Sequence, residues 1–388
     1  MAIRKPRYRI LKFTLILTAL LTLTAHAQSP NDPAIVVLNN QQHIFYKSKD
    51  TLRDAYYDAA TSQWYKQTLA LGIPADSRLT AEIYGNQIHV LYKSTPTILL
   101  DSFYDAHSGK WSKQTIPTAG PIDGDPFISI YSNQMHILYR SNAKLLDSWF
   151  GDGKWNQQTI ATAGPVDGNP VASIYGNQQH IFLRSKAALL DSWYDGSKWN
   201  QQTITTLGPI DSDPFVSIWS NQQHVFFRSK DTLLDSWYDG NQWNQQTIAT
   251  IGSVDGPPFA SVYSNQQHIF FRSKDTLLDS WYDGNQWSQQ TIATIGSVDG
   301  PPFASVYSNQ QHIFFRSKST ILDSWYDGSQ WNQQTIATAG PVDGNPIASC
   351  FGADQQHPDQ QHIVYRSGAA ILDSWYDGNK WNQQTIAN

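Results

Sequence analysis

The feature of this 388-residue sequence that most restricts its fold is a unit of about 44 residues that occurs eight times. One histidine of the unit recurs at His43, His89, His136, His180, His224, His268, His312 and His362, with steps of 46, 47, 44, 44, 44, 44 and 50 residues. A closing tryptophan also occurs eight times, from Trp64 to Trp381. Self-similarity at such a period indicates a repeat architecture, in which each unit buries its apolar faces against its neighbours.

Each unit contains four short segments with strand character and no segment with helical periodicity. In the fifth copy they are 215–219, 224–228, 233–238 and 243–248, and an Asp-Gly dipeptide after the third is a strong hairpin signal. Four strands in about 44 residues are typical of one propeller blade. We therefore predict an all-β fold, a β-propeller of eight four-stranded blades rather than six or seven. The first strand, with its Ala and Ser residues, should lie at the centre and the Gln-rich fourth strand at the outer edge.

The first 27 residues differ from the repeats. Five basic residues precede an apolar run from Phe13 to Leu23, and the small-residue motif Ala25-His26-Ala27 follows it. This order predicts a secretory signal peptide over residues 1–27, because the apolar run is too short to cross a membrane. We expect cleavage after Ala27, a secreted protein that is extracellular or periplasmic, and one propeller domain over residues 28–388.

Charge and cysteine content restrict the partners. The formal net charge is −5, and loss of the five basic residues with the signal peptide gives −5 − 5 = −10. An acidic surface argues against nucleic acid and anionic membranes, and no later segment predicts membrane insertion. Cys350 is the only cysteine, so we expect no intramolecular disulfide. We expect no cofactor and no metal, because no copy gathers three or four metal ligands. The sequence indicates no particular oligomeric state.

Two residue pairs repeat in each unit. An Asp follows the His by 11 residues in seven copies and by 12 in the second. If the second hairpin turns at Ser229-Lys230, His224 and Asp235 are direct cross-strand partners on one face. The third hairpin should pair Tyr238 with Trp243, on the opposite face from Asp235. Each blade therefore offers a His–Asp pair to one cleft and a Tyr–Trp pair to the other, and the two pairs can meet between adjacent blades.

This combination suits a sugar, because an aromatic wall takes its C–H face and a polar pair takes its hydroxyl groups. The predicted carbohydrate-binding residues come from copies three to eight, which keep the pattern best and which we expect to dominate binding. They are His136, Asp147, Trp155, His180, Asp191, Tyr194, Trp199, His224, Asp235, Tyr238, Trp243, His268, Asp279, Tyr282, Trp287, His312, Asp323, Tyr326, Trp331, His362, Asp373, Tyr376 and Trp381.

The pattern H-x10-D-x2-Y-D-G-x2-W resembles the blade of the Aleuria-type fucose-binding lectins, which are fungal and bacterial propellers. The family repeat carries an Arg, a Glu at the spacing that separates His224 from Asp235 here, then Trp-Asp-Gly and a closing Trp. The resemblance implies that His224 stands for the Arg, Asp235 for the Glu, and Tyr238 and Trp243 for the two Trp of the fucose site. It implies a lectin fold and glycan partners, with fucose among the candidates. His lacks the donor fork of Arg, and Asp reaches less far than Glu.

The sequence thus predicts a secreted, multivalent carbohydrate-binding protein without catalytic activity. One alternative is a propeller scaffold for protein–protein interaction. Another is a glycosidase-like propeller enzyme, which the even repetition of polar residues disfavours, because catalysis needs one asymmetric constellation.

Purely structural roles for the same residues stay open at this point. The His–Asp pair can be a buried structural hydrogen bond rather than a binding pair, and Trp243 can be core rather than ligand wall. Trp237 can pack or serve as a platform. Arg228 can be a solvated hairpin residue or a ligand contact.

Overall fold

The computed structural model describes residues 32–248, 252–256, 258–292, 296–336, 338, 340–351 and 360–388. Within these ranges the regular structure is all β: thirty-two strands form eight four-stranded antiparallel sheets. The predicted β-propeller of eight four-stranded blades is confirmed. The predicted signal peptide lies outside the described residues. No helix in the described ranges is long and apolar enough to span a membrane.

The strands follow each other in chain order, four to a blade. Blade 1 holds β1 (Ala34–Leu38), β2 (Gln41–Ser48), β3 (Thr51–Asp58) and β4 (Gln63–Leu71); blade 2 holds β5 (Thr80–Tyr84), β6 (Gln87–Thr95), β7 (Ile98–Asp105) and β8 (Lys110–Ile116); blade 3 holds β9 (Phe127–Tyr131), β10 (Gln134–Ser141), β11 (Lys144–Gly151) and β12 (Lys154–Ile160); blade 4 holds β13 (Val171–Tyr175), β14 (Gln178–Ser185), β15 (Ala188–Tyr194) and β16 (Trp199–Ile204).

The second half continues the same order. Blade 5 holds β17 (Phe215–Trp219), β18 (Gln222–Ser229), β19 (Thr232–Tyr238) and β20 (Trp243–Ile248); blade 6 holds β21 (Phe259–Tyr263), β22 (Gln266–Ser273), β23 (Thr276–Tyr282) and β24 (Trp287–Ile292); blade 7 holds β25 (Phe303–Tyr307), β26 (Gln310–Ser317), β27 (Thr320–Tyr326) and β28 (Trp331–Ile336); blade 8 holds β29 (Ile347–Phe351), β30 (Gln360–Ser367), β31 (Ala370–Tyr376) and β32 (Trp381–Ala387).

Short turns set the register of each blade. In blade 5, Trp219 pairs with Gln222 across the turn residues Ser220 and Asn221, whose φ angles are 49° and 57°. Two consecutive positive φ angles are the mark of a type I′ turn, whose twist matches that of the strands it joins. The small polar pair at this position therefore fixes the first hairpin.

The blades meet through their first strands, which surround the axis, while the fourth strands lie outermost. β1 contacts β5 on one side and β29 on the other, so the ring closes between blades 8 and 1. Each of these two blades is built from one copy alone, and among the described strands none is exchanged across the closure. Instead, Asp32 accepts hydrogen bonds from Asn345 N (3.1 Å) and Nδ2 (3.0 Å). Gln42 Nε2 donates to Ser349 Oγ at 2.6 Å.

The hydrophobic core lies between adjacent blades rather than within one. Phe226 and Phe227 are consecutive, so they point to opposite faces of β18, and both are fully buried. One cluster joins Phe226 and Ile248 of blade 5 to Ile269 and Phe271 of blade 6. Each buried side chain of this size contributes about 1.5–3 kcal/mol. Because every blade needs neighbours on both faces, the repeat is stable only within the ring.

Candidate functional site in the clefts between blades

The hydrogen bond expected between the His and the Asp of each repeat is present in all eight copies. His224 Nδ1 lies 3.0 Å from Asp235 Oδ2, and the shortest distance in the other copies is 2.8 to 3.1 Å. The predicted register was wrong, however. His224 lies opposite Trp237, and Asp235 lies opposite Phe226, because the two-residue turn begins at Lys230 and Ser229 pairs with Thr232. The two side chains therefore meet diagonally, within the reach of same-face neighbours.

A third side chain, missed by the sequence reasoning, completes this polar group. Gln246 lies directly opposite Asp235, and its Nε2 donates to Asp235 Oδ2 at 3.0 Å. The same bond occurs in every blade at 2.8 to 3.1 Å. The signal was available, because a Gln follows the closing Trp by three residues in all eight copies. The glutamines are Gln67, Gln114, Gln158, Gln202, Gln246, Gln290, Gln334 and Gln384.

The His–Asp–Gln group is buried and clamped by aromatic rings. Asp235 is fully buried and His224 is 2 % exposed. The imidazole stacks on Phe226 (5.7 Å between ring centroids) and on Trp237 (6.4 Å). Because the carboxylate can only accept, Nδ1 carries the proton of this hydrogen bond. The eight Nε2 atoms are buried without a hydrogen-bond partner among the described residues. This burial favours the structural interpretation of Asp235, which ties β18, β19 and β20 together.

The Tyr–Trp pair lies on the opposite face, in the predicted register. Tyr238 lies directly opposite Trp243, and their ring centroids are 5.6 Å apart at an interplanar angle of 43°. Both rings are half-buried, so part of each is accessible to solvent. In blade 3 the tyrosine is replaced by Phe150, which pairs with Trp155 in the same way.

The predicted meeting of the two pairs between adjacent blades is seen in the first cleft, while in the fourth cleft the neighbouring Trp packs against a phenylalanine beside the His. In the first cleft, His43 of blade 1 lies 5.9 Å from Tyr104 and 6.5 Å from Trp111 of blade 2, measured between ring centroids. In the fourth cleft, Phe182 of blade 4 packs edge-on against Trp243 of blade 5 at 5.8 Å. Each cleft thus has a polar, mostly buried wall from one blade and a half-buried aromatic wall from the next.

The basic residue at the end of the second strand stays outside this cleft. Arg228 is half-buried, and its Nε donates to Asp211 Oδ1 at 2.7 Å, which ties the preceding linker to the hairpin. In blade 1 the same position is Lys47, whose Nζ donates to the carbonyl of Ala75 at 2.6 Å. Burial lowers the pKa of Lys47 to about 8. These contacts give the position a structural role at the linker.

The Asp of the third hairpin serves its own turn. Asp239 accepts hydrogen bonds from the backbone N–H groups of Gln242 (3.0 Å) and Asn241 (2.8 Å), and these bonds hold the pKa of its carboxyl below the ordinary value. Its second oxygen accepts from Asn244 Nδ2 at 2.9 Å. In the described ranges no group of three or more His, Cys, Asp or Glu side chains is arranged to hold a metal ion.

Comparison with known proteins supports the fold. No protein-family model matches the chain, and no curated protein sequence matches it. The dihydro-heme d1 dehydrogenase NirN is a similar solved structure, with 10% identity, a TM-score of 0.63, and coverage of 93% of this chain and 74% of that chain. At this identity the likeness shows the fold alone, and a fold of this kind hosts many functions.

Two further structures are also similar, at lower TM-scores. A mutant of AofleA from Arthrobotrys oligospora is 16% identical, with a TM-score of 0.44, and the alignment covers 70% of this chain and 89% of that chain. The fungal lectin from Aleuria aurantia, described as a six-bladed β-propeller that recognises fucose, is 13% identical, with a TM-score of 0.41 and coverage of 81% and 99%.

Proposed function

We propose that the protein is a secreted, non-catalytic lectin that binds glycans in the clefts between its blades. The observation that carries this proposal is the half-buried pair of aromatic rings, such as Tyr238 and Trp243, repeated at one wall of each cleft. Such a wall takes the C–H face of a sugar ring, and the amide-rich fourth strands supply hydrogen-bonding groups beside it. Even repetition around a ring favours multivalent binding, in which weak sites gain through effective concentration.

Within this proposal the aromatic pair and the polar residues of a cleft have different roles. In the cleft between blades 5 and 6, Tyr282 and Trp287 of blade 6 contact the sugar. Asp235 and Gln246 position His224 from inside blade 5. Because Nδ1 donates to Asp235, a neutral His224 presents Nε2 as an acceptor, whereas an Arg at this position offers donors only. Nε2 is buried without a hydrogen-bond partner among the described residues, so the side chains around it must shift for a sugar hydroxyl to reach it. Fucose is one candidate ligand. Because His224 presents an acceptor where an Arg would present donors, other neutral sugars should be tested beside fucose.

A glycan array probed with the protein lacking residues 1–27 tests the proposal. We expect binding to clustered glycans at least roughly 10²-fold tighter than to the free sugar. Calorimetry with the sugar found should give several sites per chain. Replacing the wall residues Trp199, Trp243 and Trp287 by Ala should weaken binding roughly tenfold or more while the ring stays folded. A folded protein that binds no glycan on the array, or one whose binding survives these replacements, would contradict the proposal.

A second candidate function, a scaffold for protein binding, is favoured by one observation. The fourth residue of most first strands is an exposed aliphatic side chain, for example Val262 at 46 % and Ile218 at 42 % exposure. The first strands surround the axis, so these side chains form an apolar ring there. Exposed apolar surface of this kind is typical of interaction sites. A change in sedimentation coefficient when Ile218 and Val262 are both replaced by Asp would support this candidate.

A further inference from the structure

A cavity of about 210 Å³ opens between blades 1 and 2, and we propose that it binds a phenolic ring. Leu38, Asn39 and Gln41 line it from the first hairpin of blade 1, and Tyr104 and Ala106 line it from the third hairpin of blade 2. None of the residues predicted to bind carbohydrate lines this cavity. Tyr104 is also the wall tyrosine of the first cleft, so the cavity lies in that cleft, beside the aromatic wall that the repeat pattern indicates.

The cavity has an identifiable cause in the sequence. Leu38 is the last residue of the first strand, and the other seven blades carry an aromatic residue at that position. Each of those rings meets the wall aromatic of the following blade edge-on, with interplanar angles of 82° to 89° and centroid distances of 5.3 to 6.5 Å. The seven residues are Tyr84, Tyr131, Tyr175, Trp219, Tyr263, Tyr307 and Phe351.

Blade 1 lacks this ring. The wall residue that follows it is Tyr104, and the branched aliphatic side chain of Leu38 takes the place of the aromatic ring against it. In blade 4, by comparison, Tyr175 stands perpendicular to Tyr238 at 88°, with 6.0 Å between centroids. The cavity therefore lies where seven other blades hold a six-membered or larger aromatic ring.

The polar surroundings of the missing ring are also retained. Four of the tyrosines donate their hydroxyl hydrogen to the carbonyl oxygen of the hairpin Asn of the next blade, at 2.8 to 3.0 Å; Tyr175 donates to Asn221 at 2.9 Å. The corresponding hairpin residue of blade 2 is Asn86, whose carbonyl oxygen accepts the N–H of Ala106, a residue that lines the cavity, at 3.1 Å. A carbonyl oxygen accepts two hydrogen bonds, so one position on Asn86 remains for a hydroxyl group.

These surroundings select a phenol rather than another ring. A phenol in the place of the missing ring would have Tyr104 as its aromatic partner and the carbonyl of Asn86 as its acceptor, by analogy with Tyr175 between Tyr238 and Asn221. Cavities that hold drug-sized ligands measure about 300–1,000 Å³. At about 210 Å³, this one is suited to a single ring, either a free phenol or a tyrosyl-like group on a larger ligand.

Calorimetric titration of the whole protein with 4-methylphenol tests the proposal. We expect one equivalent per chain, and binding roughly tenfold weaker for toluene, which lacks the hydroxyl group. Leu38→Tyr gives blade 1 the residue of its neighbours and fills the cavity with the chain's own phenol. This variant should lose 4-methylphenol binding and should melt at or above the wild-type temperature. The same titration of the protein with a peptide that ends in an exposed tyrosine distinguishes a tyrosyl group on a larger ligand from a free phenol.

A gain-of-site variant keeps the proposal testable should Leu38→Tyr fail to fold. Tyr175→Leu removes the corresponding ring between blades 4 and 5 and should raise the stoichiometry for 4-methylphenol from one to two. Unchanged binding in Leu38→Tyr, or no binding by the wild type, would overturn the proposal. So would a methyl glycoside that binds this cavity where 4-methylphenol does not. Glycan binding by the other clefts should persist in Leu38→Tyr, so failure here and failure of the proposed lectin function are separate results.

Discussion

Removing one buried carboxylate tests how much the His–Asp–Gln group contributes to the ring. Asp235 is fully buried, and it accepts hydrogen bonds from His224 Nδ1 and Gln246 Nε2, both at 3.0 Å. Asp235→Ala leaves these two donors buried and without an acceptor. Each unsatisfied group costs about 1–3 kcal/mol, so the free energy of unfolding should fall by about 2–6 kcal/mol.

This loss converts into a measurable melting shift. At about 2.1 cal/mol/K per residue, a chain of about 360 residues has an unfolding entropy of about 0.8 kcal/mol/K. Dividing the expected loss by this entropy predicts a melting temperature lower by about 3–8 °C. A single blade is enough for the test, because each blade supports the core on both of its sides.

Differential scanning calorimetry of wild type and variant measures the shift. Asp231→Ala is the matched control, since Asp231 lies exposed in the preceding turn of the same blade and should change stability by less than about 0.5 kcal/mol. The triple variant His224→Phe, Asp235→Leu and Gln246→Leu removes donors and acceptor together and should recover most of the loss. If Asp235→Ala melts within one degree of wild type, the buried group does not stabilise the blade, and the reasoning fails.

Three further predictions concern pH, ring closure and processing. Burial lowers the pKa of Lys47 to about 8 in the folded protein, below its unfolded value of 10.5. Between these two pH values the unfolded chain binds more protons than the folded one, so the free energy of unfolding should rise with pH across that window. Lys47→Met should remove this rise, which is measured as the urea midpoint of unfolding at each pH. Equal slopes of the midpoint against pH for the two proteins would contradict the prediction. Asp32→Ala removes two hydrogen bonds across the closure, so the free energy of unfolding should fall by about 1–3 kcal/mol and limited proteolysis should become faster. Asp213→Ala breaks the same contact within the ring and should lower the free energy of unfolding as much, without faster proteolysis. N-terminal sequencing of exported protein should begin at Gln28, and recovery of residues 1–27 would refute the signal peptide.

The blade count followed from the repeat because the unit of about 44 residues occurs eight times and each copy carries four strand segments. The pairing of Tyr238 with Trp243 was also predictable, since the Asp-Gly turn leaves one register for the third hairpin. The second hairpin of this copy carries no such glycine signal, and only the eighth copy has a glycine there, Gly368. In this copy the turn begins at Lys230, with a φ of 54°, so the sequence placed it one residue too early and the register two residues out. The predicted contact between His224 and Asp235 was correct in spite of this error, because a register shift of two residues leaves a side chain on the same face of the sheet.

Other parts of the site need coordinates. Gln246 repeats as regularly as the histidine, but many Gln and Asn residues occupy the fourth strands, and only the cross-strand pairing with Asp235 distinguishes it. The importance of Leu38 is visible when the eight first strands are compared, since seven of them end in an aromatic residue. The effect of Leu38 depends on Tyr104, the aromatic residue of the neighbouring blade that it contacts. A sequence pattern within one copy carries no information about such contacts between copies.

The closure of the ring by side chains alone has a consequence for how the protein can change over generations. Propeller termini that share one blade tie the chain ends together, so gain or loss of a unit must preserve that shared blade. Here each blade comes from a single continuous copy, and blade 8 meets blade 1 through ordinary inter-blade contacts. A gene duplication that adds one copy therefore adds one complete blade and leaves the closing contacts intact. The near identity of copies six and seven, which differ at four positions over residues 251–294 and 295–338, is the expected trace of such a recent expansion.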